Sequence, residues 1–137
     1  MLNASLRRKF EDIEKILNHI VNSSIDGIPI IVEGKKDKEA LRRLKIPGIV
    51  ICLKSSRNGF HDFTAKLADN REVIVLTDFD KEGARLAAKL IDELTHMKVK
   101  VNVSIWKKLK ALCRPEVRAI EELAGLVENL REEYGKG

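Results

Sequence analysis

From the N-terminus, apolar residues fall at steps of three and four. Leu2, Leu6, Phe10, Ile13, Leu17 and Ile20 form one stripe, with Arg7, Arg8, Lys9, Glu11 and Glu14 off it. That spacing predicts an amphipathic helix, ended by the turn-forming stretch Asn22 to Gly27. The pattern then changes. Ile28 to Val32 is a short apolar run, too brief for a helix, and reads as a buried strand. After Gly34, Asp37 caps a helix that reaches about Leu44, and Pro47-Gly48 makes a turn. Ile49 to Leu53 reads as a second strand, Lys54 to Gly59 as a polar loop, and Phe60 to Ala68 as a helix. Glu72 to Thr77 is the third strand, Lys81 to Thr95 a helix, and Val99 to Ile105 the fourth strand. Trp106 to Arg114 is a basic connection without an assigned structure. Pro115 suits the first position of a last helix, with Val117, Ile120, Ala124, Val127 and Leu130 as its buried stripe.

Strands alternating with helices predict an α/β fold. Its parallel sheet is joined by right-handed crossovers, with helices on both faces. The first and last helices lie outside the alternation. They are expected to pack beside the sheet, together or across a dimer contact. A chain of 137 residues suits one domain, 1–137, with its core at about 28–105. Residues 1–27 then form an N-terminal helix, and 106–137 the basic connection and C-terminal helix.

The third strand delivers three carboxylates, Asp78, Asp80 and Glu82, at a spacing of two, where a strand should stop and a helix should start. Acids that close repel one another unless a cation lies between them. The hard, oxygen-seeking Mg²⁺ suits such a set best, and Mn²⁺ suits it too. A second acid, Glu33, ends the first strand. Ligands of open parallel sheets bind at the carboxyl ends of the strands. If the first and third strands are neighbours, Glu33 and Asp78 share one crevice, closed by Asp80 and Glu82. Asp78 and Asp80 are the natural metal ligands, and Glu82 binds directly or through water. Glu33 serves as acid or base, or holds a second metal. Gly34 and Gly83 let backbone come close to a ligand. Lys35 can neutralise a phosphate, as can Lys54 and Arg57 from the loop after the second strand. The plainer alternative is a helix cap at Asp78-Phe79-Asp80, a surface acid at Glu33 and an ordinary polar loop.

The pair Val32-Glu33-Gly34-Lys35-x-Asp37 and Thr77-Asp78-Phe79-Asp80-Lys81-Glu82-Gly83 resembles the two motifs of the Toprim domain. That domain is shared by type IA and type II topoisomerases, bacterial-type primases, several nucleases and the small ribonuclease that matures 5S ribosomal RNA. The resemblance runs from about Ile28 to Ile105. It implies a compact Rossmann-like sheet of four strands, with Glu33 as acid/base, Asp78 and Asp80 on Mg²⁺, and Glu82 assisting. Topoisomerases of this kind use a tyrosine in a separate domain, whereas the one tyrosine here, Tyr134, stands on a charged tail. Primases carry a zinc module, and Cys52 and Cys113 are too isolated to build one. What the resemblance implies is a small stand-alone Toprim protein.

Net charge is +5, a mild basic excess compatible with nucleic acid. Abundant Lys, Arg and Glu with no Gln suggest a thermophile. Two free thiols, no signal peptide and no apolar run of membrane-spanning length predict a cytoplasmic protein with no membrane partner. His61 fits either a substrate phosphate or a helix cap. Trp106 with Lys107, Lys108 and Lys110 fits either a nucleic-acid contact or sheet-edge packing. The expected partner is RNA or DNA, with a protein partner or second copy on the terminal helices. The expected activity is Mg²⁺-dependent cleavage of phosphodiesters. The alternatives are a non-catalytic Mg²⁺- and nucleic-acid-binding module, as a subunit of an RNA- or DNA-processing complex, and a small nucleotide phosphohydrolase.

Overall fold

A computed structural model describes residues 2–135, apart from the side chains of Leu2 and Asn3. The chain runs α1 (Leu2–Ile25), β1 (Ile30–Val32), α2 (Lys35–Arg43), β2 (Val50–Cys52), α3 (Phe60–Ala65), β3 (Glu72–Val75), α4 (Lys81–His96), β4 (Lys100–Asn102), α5 (Ser104–Cys113) and α6 (Ile120–Tyr134). A single 3₁₀ turn, Leu53–Ser55, follows β2. The four strands form one parallel sheet in the order β2-β1-β3-β4. The α/β architecture is therefore the expected one.

Strand side chains alternate between two faces, and the core divides accordingly. Ile30, Val32, Ile74 and Leu76 point to a layer built from α1, α2, α5 and α6. Ile31, Val73 and Val75 point to α3 and α4, where they meet Phe63, Leu67, Leu90 and Leu94. The terminal helices thus pack together on one face of the sheet. The Arg131 guanidinium joins Glu14 at 2.9 Å across α6 and α1, and Arg43 pairs with Glu128 across α2 and α6. The N-terminal stripe is buried from Phe10 to Ile20, while Leu6 is exposed. The side chain of Leu2 lies outside the described residues. Helix α1 also runs through Asn22–Ser24, because tertiary packing there outweighs the turn preference of single residues.

Three features near the C-terminus differ from the sequence reading. The alternation Val99, Val101, Val103, Ile105 predicts a strand through Ile105, yet β4 stops at Asn102. The Asn102 carboxamide oxygen accepts from the Ser104 hydroxyl at 3.0 Å and from the Ile105 N–H at 3.4 Å, which turns the chain into a helix. The basic connection is that helix, α5, with Ile105, Trp106, Leu109 and Cys113 on its buried side. Finally, α6 begins at Ile120 rather than Pro115. Glu122 accepts from the N–H groups of Arg118 and Ala119, and Phe79 donates to the Arg118 carbonyl at 2.6 Å, holding the preceding residues out of the helix.

Candidate metal and phosphodiester site

Parallel pairing of β1 with β3, Ile30 opposite Ile74 and Ile31 opposite Val75, brings the ends of both strands to one edge. Glu33 and Asp78 leave that edge together. The Asp78 N–H donates to Glu33 Oε2 at 2.7 Å, and Glu33 is only 6% exposed. Asp78 Oδ1 accepts from the Ile120 N–H, the first amide of α6, at 3.1 Å. Asp80 caps α4, with Oδ1 accepting from the Gly83 N–H at 2.7 Å. Each of these three carboxylates therefore has one oxygen fixed by the backbone and a second oxygen without a hydrogen bond among the described residues.

A fourth acid joins them. Asp37 is buried and caps α2, its Oδ2 accepting from the Gly34 N–H at 3.0 Å. The sequence reading gave it only this capping role. Its field nevertheless reaches Asp78, whose carboxyl group is pushed up to about 6, first by burial and then, against the Ile120 hydrogen bond, by the charges of Asp37, Glu33 and Asp80. Burial also raises Glu33, opposed by the Asp78 N–H and reinforced by Asp80 and Asp37. Asp37 is raised mainly by burial as well. Its place in the motif, three residues after Gly34, marks the cap, whereas its effect on Asp78 comes from the packing of α2 beside the sheet edge.

Glycine makes the tight geometry possible. A Cβ on Gly83 would penetrate the Asp78 backbone, so β3 and the start of α4 can fold back on each other only without a side chain there. The Thr77 hydroxyl ties the same turn by donating to the Gly83 carbonyl at 2.8 Å. Trp106 supports it from below. Its indole N–H donates to the Thr77 carbonyl at 2.7 Å, and its ring lies 6.0 Å from that of Phe79. Trp106 is thus a buried support for the acidic loop rather than an exposed stacking surface.

Among the candidate phosphate groups, Lys54 comes nearest to the acids. Its N–H donates to the Glu33 carbonyl at 2.9 Å, and its side-chain charge counters the upward shifts of Glu33 and Asp37. Gly34 lies beneath it, a Cβ there falling 3.7 Å from the Lys54 side chain. Lys35 and Arg57 are exposed, on the first turn of α2 and in the loop before α3. Glu82 points outward and forms a two-point pair with Arg85 at 2.5 and 2.9 Å, which holds its carboxyl below the usual range. His61 is exposed at the start of α3.

Among the described residues, no three His, Cys, Asp or Glu side chains converge as a ready-made metal cage. Mg²⁺ does not require one, since it commonly takes one or two carboxylates and completes its shell with water and phosphate. The unspent oxygens of Asp78 and Asp80, beside the buried acids Glu33 and Asp37, have the chemistry of that donor set.

The Toprim domain pattern matches residues 27–104, more than half of the sequence and both acidic stations. The chain belongs to the Toprim family. Its relatives include archaeal proteins of similar size named UPF0292. The one from Methanosarcina acetivorans is 35% identical, over 94% of this chain and 89% of its own. That from Methanocaldococcus jannaschii is 36% identical, over 88% of this chain and 95% of its own. A solved structure of a protein from Aquifex aeolicus superposes with a TM-score of 0.67 at 27% identity, covering 80% of this chain and 95% of that one. Toprim membership associates the protein with metal-dependent nucleic-acid chemistry. The segment that reaches Asp78 from α6, and the arginines around it, lie beyond the matched residues. No described helix is long and apolar enough to cross a membrane.

Proposed function

We propose that this Toprim protein is a Mg²⁺-dependent nuclease that cleaves phosphodiester bonds of RNA or DNA. The observation that carries the reading is the joint fixing of Glu33 and Asp78 at one sheet edge, with the carboxyl groups of both raised. Asp78 and Asp80 would hold the metal through their free oxygens, with Glu82 assisting once released from Arg85. When bound, Mg²⁺ supplies charge neutralisation and Lewis acidity at the phosphate. Glu33 exchanges a proton with the attacking or leaving oxygen through its free carboxylate oxygen, and burial raises its affinity for protons in the direction that work requires. Lys54, with Lys35 and Arg57 further out, binds phosphate oxygens, and Gly34 and Gly83 keep the backbone low enough for a strand to approach. Asp37 adds negative charge that favours a cation.

The test is a cleavage screen of structured RNA, single-stranded DNA and duplex DNA with Mg²⁺ or Mn²⁺. Wild type should cut at least one polymer. Glu33→Gln, which keeps an acceptor for the Asp78 N–H, should fold and fail to cut. Equal cutting by both proteins would remove Glu33 from the chemistry. Cutting of mononucleotides alone would favour a small phosphohydrolase.

A further inference from the structure

Beside Asp80 the surface opens into a recess of about 560 Å³, lined by Asp80, Lys81, Glu82, Arg114 and Arg118. One wall comes from the start of α4, within the Toprim match. The other comes from the link between α5 and α6, outside it. The two walls are joined by backbone: Phe79 donates to the Arg118 carbonyl at 2.6 Å, and Ile120 donates to Asp78 at 3.1 Å. The Arg118 N–H is bound by Glu122, which further fixes this residue in place.

The charges in the recess do not balance. Glu82 is already neutralised by Arg85, which leaves Asp80, a helix cap with its charge intact, as the one free anion lining the recess. Lys81, Arg114 and Arg118 are exposed, and their side chains make no ion pair or hydrogen bond among the described residues. Three cations face one free carboxylate, so the concave surface keeps an excess of two positive charges. Guanidinium forks match phosphate oxygens in a planar, two-point way.

We infer that this recess is a second phosphate site, at which Arg114 and Arg118, with Lys81, grip the backbone of the strand held at the acidic edge. The inference rests on the proposed function for the identity of the strand. A strand with one phosphate at Asp78 and Asp80 must run on past one side of that edge. On this side its next phosphates meet the free cations. The link between α5 and α6 then has a task that the Toprim core lacks: it sets where along the strand the acidic edge acts.

Fluorescence anisotropy of labelled single-stranded RNA and DNA, each titrated in EDTA over a series of salt concentrations, isolates binding from cleavage. Arg114→Ala/Arg118→Ala should weaken binding by roughly tenfold or more. It should also lower the slope of log affinity against log salt by about 1.4, the value for two lost phosphate contacts on a single strand. Arg8→Ala/Lys66→Ala removes the same charge from α1 and from the residue that caps the end of α3, and should change neither. Arg114→Lys/Arg118→Lys should recover most of the salt slope but only part of the affinity. If the double alanine variant binds both polymers as wild type does, with the same slope, the inference is overturned and the nuclease reading is untouched. Wild type that binds neither polymer overturns it also. Failure of the nuclease reading is seen separately, in the cleavage screen with Glu33→Gln.

Discussion

The Asp78 N–H donates to the Glu33 carboxylate across neighbouring strands, 45 positions apart in sequence. One hydrogen bond therefore couples the two acidic motifs of the chain. The carboxylate that accepts it cannot move without disturbing the backbone that carries Asp78 and Asp80. A substitution at either acid should then be read by both geometry and charge, and the two can be separated.

Asp78→Asn retains an acceptor for the Ile120 N–H and removes a charge that the fold disfavours. In EDTA at pH 7 it should be more stable than wild type to urea, by about 1–2 kcal/mol after allowing for the solvent screening of a half-buried group. Cleavage should be lost at the same time. A variant both less stable and inactive would show that Asp78 serves the fold rather than the site.

Acidity should stabilise the metal-free protein. Asp78 has a value of about 6 in the folded state against 3.8 for a free aspartate, so the folded state binds more protons between those values. Its contribution to stability falls as pH rises from about 4 to about 6 and stays at its lowest above that. Glu33 and Asp37 are shifted the same way. Thermal melts in EDTA should show a lower Tm at pH 7 than at pH 5. Mg²⁺ should raise Tm more at pH 7 than at pH 5, because the carboxylates are then ionised. A metal effect independent of pH would place the ion elsewhere.

Gly83→Ala should be poorly tolerated although it adds one methyl group. The new Cβ would fall within the Asp78 backbone, and the turn must open to admit it. A loss of about 1–3 kcal/mol is expected, with cleavage impaired beyond what the remaining folded fraction explains. Urea melts with parallel activity assays would check this. Gly125→Ala, where nothing lies within 4 Å of the added carbon, is the control.

Trp106→Phe keeps the ring against Phe79 and removes the indole donor. The buried Thr77 carbonyl loses its partner, which costs about 1–3 kcal/mol. Activity should fall through the loosened loop, with Mg²⁺ affinity reduced as well. Calorimetric titration would separate these effects from simple unfolding.

The acidic motifs were legible because each is a short side-chain pattern at a strand end: Glu33-Gly34 after an apolar run, Asp78-x-Asp80 after another. The strand order was partly legible too, since a shared crevice required β1 beside β3. The C-terminal half of the site was not. The bonds that place it, Phe79 to Arg118 and Ile120 to Asp78, use main-chain groups at one or both ends, which any residue could supply. The alternation at Val99 to Ile105 looked like one strand because Asn102, which turns the chain, also fits a polar position of that pattern. Asp37 was visible, but its contribution through space to Asp78 depends on packing that spacing alone does not give.

The bond from Ile120 to Asp78 has a consequence during synthesis of the chain. Both acidic stations emerge from the ribosome well before Ile120, which follows Asp78 by 42 positions. Until then the Asp78 carboxylate lacks its amide partner, and the wall bearing Arg114 and Arg118 does not exist. A nascent polypeptide that already displays every residue of the family motif would still await the amide that sets the orientation of Asp78.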